Sequence, residues 1–180
     1  DDIWLVSGGG SGVTAASIIG VANASNGAGA TFLLLGRSKL DEETATWLDW
    51  GEDKLTARKT ELRETLIAES ETGKITMVEW NNAWSKLTRS MDIYRTIKDI
   101  EISGNHAEYH SANVTDTEAI GHAVNGRSIT GIVHGAGLEE SKLVADKSWS
   151  TFDLIVRVKV DGWKALTAAA GESLRFACSF

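Results

Sequence analysis

The sequence predicts an α/β fold built on a doubly wound parallel sheet. Three observations predict it. The chain opens on strand, glycine turn and helix; short apolar runs then alternate with stretches of helical spacing; and the residues able to do chemistry fall just after those runs. In such a sheet each right-handed crossover covers one face, and ligands gather at the carboxyl ends of the strands.

The elements follow in order. Ile3 to Val6 is a short apolar run that stops at SGGGSG, and VTAASIIGVANA after it repeats its apolar residues at helical spacing. A polar turn, NGAGA, leads into a second apolar run, Thr31 to Leu35, ending in GRS, so strand two follows helix one as a βαβ unit. Residues 39 to about 104 read as mostly helical, with Leu55, Leu62, Leu66, Trp84, Leu87, Met91, Tyr94, Ile97 and Ile100 at spacings of three and four. That is longer than one crossover helix requires, and we expect a helical insert there within a single domain over 1–180. HAEYHSANV predicts strand three, TDTEAIGHAV a helix opening at Thr115 or Asp116, and ITGIVHGAG strand four. SWSTFDLIVRVKVDGWKALTAAA predicts one long helix, and SLRFACSF a fifth strand.

Composition bounds the rest. The 180 residues are 42% hydrophobic and 24% charged, enough for one soluble domain without disulfides or a structural metal; the single cysteine, Cys178, agrees. A formal charge of -7 with no basic stripe argues against nucleic acid or an anionic membrane as partner. No apolar run approaches the ~20 residues of a membrane span, and the cytoplasm is the expected compartment. The opening DDIWLV has neither an initiator Met nor a signal segment, so the chain reads as an internal portion of something longer.

Five segments fall at strand carboxyl ends: Ser7 to Gly12, Gly36 to Ser38, Ala112 to Thr115, His134 to Gly137 and Cys178 to Phe180. In the first, Gly8 and Gly12 bracket a turn where backbone must approach a ligand closely, and the following helix offers unpaired N–H groups to a pyrophosphate. Arg37 follows strand two, where an acidic residue would accept from the ribose hydroxyls of NAD and an arginine pairs instead with the 2′-phosphate of NADP. Ser38 is placed to add a hydrogen bond.

SGGGSGVTAA, LLLGRS, SANVTD, ITGIVHGAG and KLVADKSWSTFDLIVRVKVDG together resemble, in order, the ketoreductase domain of polyketide and polyunsaturated fatty acid synthases, in the short-chain dehydrogenase/reductase superfamily. The resemblance runs from Ile3 to the last residue. The first motif and the long helical stretch after LLGRS look more like the polyunsaturated fatty acid synthase branch. It implies a Rossmann-like NAD(P)-binding fold, truncated at its C-terminus, with NADPH as cofactor. Ser7, Gly8, Gly9, Gly12 and Val13 match the cofactor turn, with Thr14 where relatives usually carry a third glycine. Arg37 and Ser38 match the phosphate site. Asn113, next to Val114, stands where the family usually has Asp against the adenine amino group, and an amide oxygen still accepts that bond. Gly135, Ala136 and Gly137 match the segment under the nicotinamide ribose.

Lys159, in KVDG, matches the family's catalytic lysine, and Ser179, in FACSF, the serine that hydrogen-bonds the substrate carbonyl. The remaining member is a tyrosine past that serine; Tyr94 and Tyr109 both precede it. The implied reaction is hydride transfer to the β-carbon of a 3-ketoacyl thioester presented by an acyl carrier protein on its phosphopantetheine arm, beside the other domains of the same synthase. Residues 1–180 alone are expected to bind cofactor poorly and reduce nothing. Two alternatives remain: a dinucleotide-binding module without catalysis, and a structural subdomain bracing an adjacent catalytic unit. SGGGSG together with Arg37 argues against the second.

Other residues read more simply. Cys178 is a buried strand-end cysteine; His134 is a core histidine rather than a ligand; and His106, His110 and His122 show no metal spacing. Glu139, Glu140 and Ser141 occupy the place of a Leu-Asp-Asp stereochemical marker, which is absent. The Trp80, Trp84 and Leu87 face packs between inserted helices and the sheet, or onto a neighbouring domain.

Overall fold

A computed structural model of the chain describes residues 2–25 and 27–180. They form two compact units, one of residues 1–37 with 96–180 and one of residues 38–95.

The first unit is a five-stranded, all-parallel sheet in the order β3-β2-β1-β4-β5, with β1 at Ile3–Ser7, β2 at Thr31–Gly36, β3 at His106–Ser111, β4 at Gly131–His134 and β5 at Phe176–Ser179. Side chains alternate across a strand, so each central strand feeds two cores. Leu5, Leu33, Leu35 and Ile132 face one layer with Ile120, Val124, Ala165 and Leu166. Val6, Phe32, Leu34 and Val133 face the other with Ile18, Ala22 and Ile100. The first layer is supplied by α4 (Thr117–Val124) and α6 (Gly162–Ala170), the second by α1 (Gly12–Ala24) and the last turns of α3 (Met77–Ile102). Each fully buried Leu, Ile or Phe contributes about 1.5–3 kcal/mol relative to exposure, which is why the apolar runs dominate the fold. These two covered faces are the doubly wound arrangement the sequence predicts.

Local chemistry sets the boundaries. Asp116 caps α4 by accepting from the backbone N–H groups of Glu118 and Ala119, so the helix begins at Thr117. Strand three ends at Ser111, three residues short of its predicted end, because Asn113 closes an Asx turn by accepting from the Thr115 N–H. Strand four is shorter than predicted at both ends. The long helix is continuous from α5 (Trp149–Val156) to α6, but Arg157–Asp161 form a widened π turn that no periodicity announced. Cys178 is half-buried rather than buried.

The second unit holds a 3₁₀ turn at Glu42–Trp47, α2 (Glu52–Glu69) and the first part of α3. Its centre is a tryptophan ladder, Trp50 on Trp47 at 5.4 Å, Trp47 on Trp84 at 6.4 Å and Trp84 on Trp80 at 6.3 Å. Helix α2 buries no residue fully and covers the rings with cationic side chains, Arg58 over Trp47 and Lys59 over Trp84. The Trp80 and Trp84 face thus packs within this unit, onto the 3₁₀ turn.

Candidate active site

Parallel pairing brings all five strand carboxyl ends to one edge of the sheet. Along it lie, in order, Asn113 beyond β3, Arg37 beyond β2, Ser7 to Gly12 beyond β1, Gly135 to Gly137 beyond β4, and Ser179 ending β5. In register, Leu35, Ser7, His134 and Ser179 stand side by side across β2, β1, β4 and β5.

The glycine turn has three differently directed positions. Gly8, at φ +73°, packs so closely on the loop after β4 that a Cβ would meet the Ala136 nitrogen at 2.7 Å. Gly9 faces inward, toward Val6 and Ile18. Gly12, at φ +69°, faces open space. The Ser11 side chain makes no capping bond at the start of α1, and the first turn of that helix carries no acidic residue, so its N–H donors stay available to an anion. Val13 beside them is 75% exposed. On the far side, Thr96 Oγ1 donates to the Gly10 carbonyl at 3.2 Å and holds the turn.

Arg37 is exposed one residue past β2 and has no ion-pair partner among the described residues. Ser38, partly buried, begins the second unit. Asn113 is exposed, and its Oδ1 keeps one lone pair beyond the Thr115 bond. Val114 next to it turns into the core, against Gly162.

Lys159 reaches the residue next to Ser179 although 20 positions separate the two in the chain. Lys159 lies in the π turn; its Nζ donates to the Phe180 carbonyl at 2.6 Å and sits 3.1 Å from where a Cβ on Gly137 would be. Ser179 Oγ donates to the His134 carbonyl at 3.3 Å. Ser7, expected on the cofactor side, directs its hydroxyl inward instead: it bonds His134 Nδ1 at 2.6 Å and accepts from the Ala136 N–H at 3.3 Å. His134 Nε2 bonds the Lys159 carbonyl at 3.2 Å. Burial, and then the nearby Lys159 ammonium, push the His134 pKa below the ordinary histidine value.

His134 is the core histidine that the sequence predicts, fully buried, but its bonding partners are not legible there. The available signal was a polar residue ending an apolar strand directly before Gly135, but its partners lie 127 and 25 residues away. Among the described residues no group of His, Cys, Asp and Glu could hold a metal ion, and no helix is long and apolar enough to cross a membrane.

The KR domain family model matches residues 3–180. A relative, a polyunsaturated fatty acid synthase chain from Thraustochytrium sp. (strain ATCC 26185 / S-3), is 28% identical over 174 residues, covering 92% of this chain and 6% of its own length. Polyketide synthase PksM from Bacillus subtilis (strain 168) is 34% identical over 92 residues, 48% of this chain and 2% of that protein. The chain therefore spans a small fraction of both. Among solved structures, a ketoreductase domain from the bacillaene assembly line superposes with a TM-score of 0.64 at 18% identity, covering 99% of this chain and 32% of that one.

Proposed function

The chain belongs to the KR domain family, and from that premise we infer that it is the cofactor-binding part of an NADPH-dependent 3-ketoacyl reductase acting within a polyketide or polyunsaturated fatty acid synthase in the cytoplasm. The observation that carries this reading is the line of unlike chemistries along one sheet edge, with Asn113, Arg37 and the glycine turn on one side and Lys159 with Ser179 on the other.

The residues present fit a dinucleotide. Gly12 leaves its Cβ space open beside the free N–H donors of α1, which suits a pyrophosphate. Arg37 supplies an exposed guanidinium for a 2′-phosphate, and Asn113 an acceptor for an adenine amino group. Gly135 to Gly137, with no side chain larger than a methyl group, let a ribose lie close to the backbone. When bound, NADPH supplies the hydride.

The chain's own residues position and polarise. Ser179, rotating its hydroxyl away from the His134 carbonyl, donates its one proton to the carbonyl oxygen of a 3-ketoacyl thioester, carried on the phosphopantetheine arm of an acyl carrier protein, and steadies the negative charge that grows there. Lys159 holds an ammonium beside that oxygen and lowers the pKa of the proton donor. Tyr109 cannot be that donor: it lies on β3, four strand spacings or about 19 Å from β5. Tyr94 stands in the second unit, its phenol pKa raised by burial and then by Glu42 and Asp41. Residues 1–180 alone are expected not to turn over.

The test is NADPH oxidation by the full-length protein with acetoacetyl pantetheine. Lys159→Ala should reduce turnover far more than it weakens NADPH binding. Absence of any NADPH-dependent reduction in the unaltered protein would overturn the reading.

A further inference from the structure

The His134 ring is 0% exposed on a sheet face, where a polar group is tolerated only with its hydrogen bonds made. Both nitrogens make them, and the partners fix the direction of each bond. The Lys159 carbonyl can only accept, so Nε2 carries the proton. In the neutral ring Nδ1 then has a lone pair, and Ser7 must donate to it at 2.6 Å. That leaves Ser7 Oγ free to accept from the Ala136 N–H. One polarised chain thus runs from the Ala136 peptide through Ser7 and His134 to the Lys159 peptide, tying together the loop and the helix that flank the Lys159 ammonium.

The helical end of this chain is the π turn Arg157–Asp161. There the Gly162 N–H bonds both the Arg157 and the Lys159 carbonyls, and the Lys159 oxygen has its second lone pair for the His134 ring; such widened turns recur at functional sites. Gly162 makes room for the ring, since a Cβ there would sit 3.2 Å from His134 Cε1.

Resting on the assignment of Lys159 to the reaction, we propose that His134 is a positioning residue, which with Ser7 clamps the Lys159 π turn and so fixes where the lysine ammonium stands relative to Gly137 and Ser179. A glutamine at 134 can still donate to the Lys159 carbonyl from its side-chain end; a leucine of similar bulk cannot.

The experiment compares His134→Gln with His134→Leu in the full-length protein, using NADPH and acetoacetyl pantetheine. His134→Leu should lower kcat by about tenfold or more with the KM for NADPH within about twofold, and His134→Gln should recover most of the loss. Unchanged kcat in His134→Leu overturns the proposal, as does an equal loss in both variants accompanied by weaker NADPH binding, which marks a structural role. Should His134→Leu not melt cooperatively, Ser7→Ala decides. It frees the ring to move its proton to Nδ1 and should lower kcat in the same way; unchanged kcat again overturns the clamp. Lys159→Ala in the same assay separates the two ideas. Full activity there sinks the lysine's role itself, whereas lost activity there beside an unimpaired His134→Leu sinks only the clamp.

Discussion

The side chain of Thr14, on α1, fills the space that a Cβ on Gly135 would need. Helix α1 and the loop after β4 therefore meet in close contact, the short β-branched Thr14 side chain standing directly against the Gly135 backbone with little freedom to swing aside. Gly135→Ala should cost about 1–3 kcal/mol, the usual range for overpacking a filled site. Thermal melts of the full-length protein give the measurement. Thr14→Ala combined with Gly135→Ala should recover stability beyond the sum of the single effects; strict additivity would mean the two residues do not press on each other.

The exposed guanidinium of Arg37 makes a selectivity prediction. Bonds to a charged group are worth about 1.5–3 kcal/mol, so Arg37→Ala should weaken NADPH binding by about tenfold or more while leaving NADH binding near its original value. Fluorescence titration with each nucleotide reads the difference. Equal weakening for both would remove Arg37 from the 2′-phosphate.

The parallel strands, the helices covering both faces and the line of loops at the strand ends were legible because apolar periodicity and glycine turns are local signals. Ser7 and His134 show where legibility stopped. The turn motif marks Ser7 as part of a ligand loop, yet its hydroxyl points inward to a partner 127 residues away that no spacing rule connects to it. The π turn escaped for a related reason: VRVKVDG keeps ordinary helical composition, and the widened turn shows itself only in its backbone bonding, the Gly162 N–H reaching the Arg157 carbonyl five residues back. The tryptophans were recognised as packing residues, but their partner, the 3₁₀ turn Glu42–Trp47, has too few residues to carry a period.

Arg127 joins β3 to the end of α4, giving Nη1 to Glu108 at 2.8 Å, Nη2 to the Ala123 carbonyl at 2.6 Å and Nε to the Val124 carbonyl at 3.1 Å. The Arg127 hydrogen bond, against an opposing burial effect and aided by its charge and by His110, holds the Glu108 pKa below the usual carboxylate value. The folded state therefore binds this proton less readily than the unfolded chain. The pair's contribution is present above about pH 4.3, the unfolded glutamate value, and is lost as pH falls through the lower folded one. Glu108→Gln should destabilise the fold at pH 7 by the small amount typical of a partly exposed pair, about 1 kcal/mol or less, read as a slightly lower melting temperature. Its curve should converge with the parent's as pH falls from about 4.3 through the lower folded value. Arg127→Ala should cost more, because two helix carbonyls lose their donor as well.

His134 makes a separate, higher pH window. Burial first, and the Lys159 ammonium second, keep its folded pKa below the ordinary value of about 6.5. Here too the unfolded chain binds the proton more readily, so stability rises with pH across the gap between the two values. On acidification the loss begins near pH ~6.5, above the ~4.3 at which the Glu108 loss begins, and continues until pH passes the lowered folded value. Protonation would also put a second donor on Nδ1, where Ser7 already donates, so the ring cannot charge without breaking that bond. His134→Gln removes the titration and keeps a donor to the Lys159 carbonyl. Melting temperatures of the full-length protein measured from pH 8 to pH 5 should therefore fall less steeply in His134→Gln than in the parent. Parallel slopes would show that the ring charges in place at no cost, and that the bond from Ser7 is not the one described.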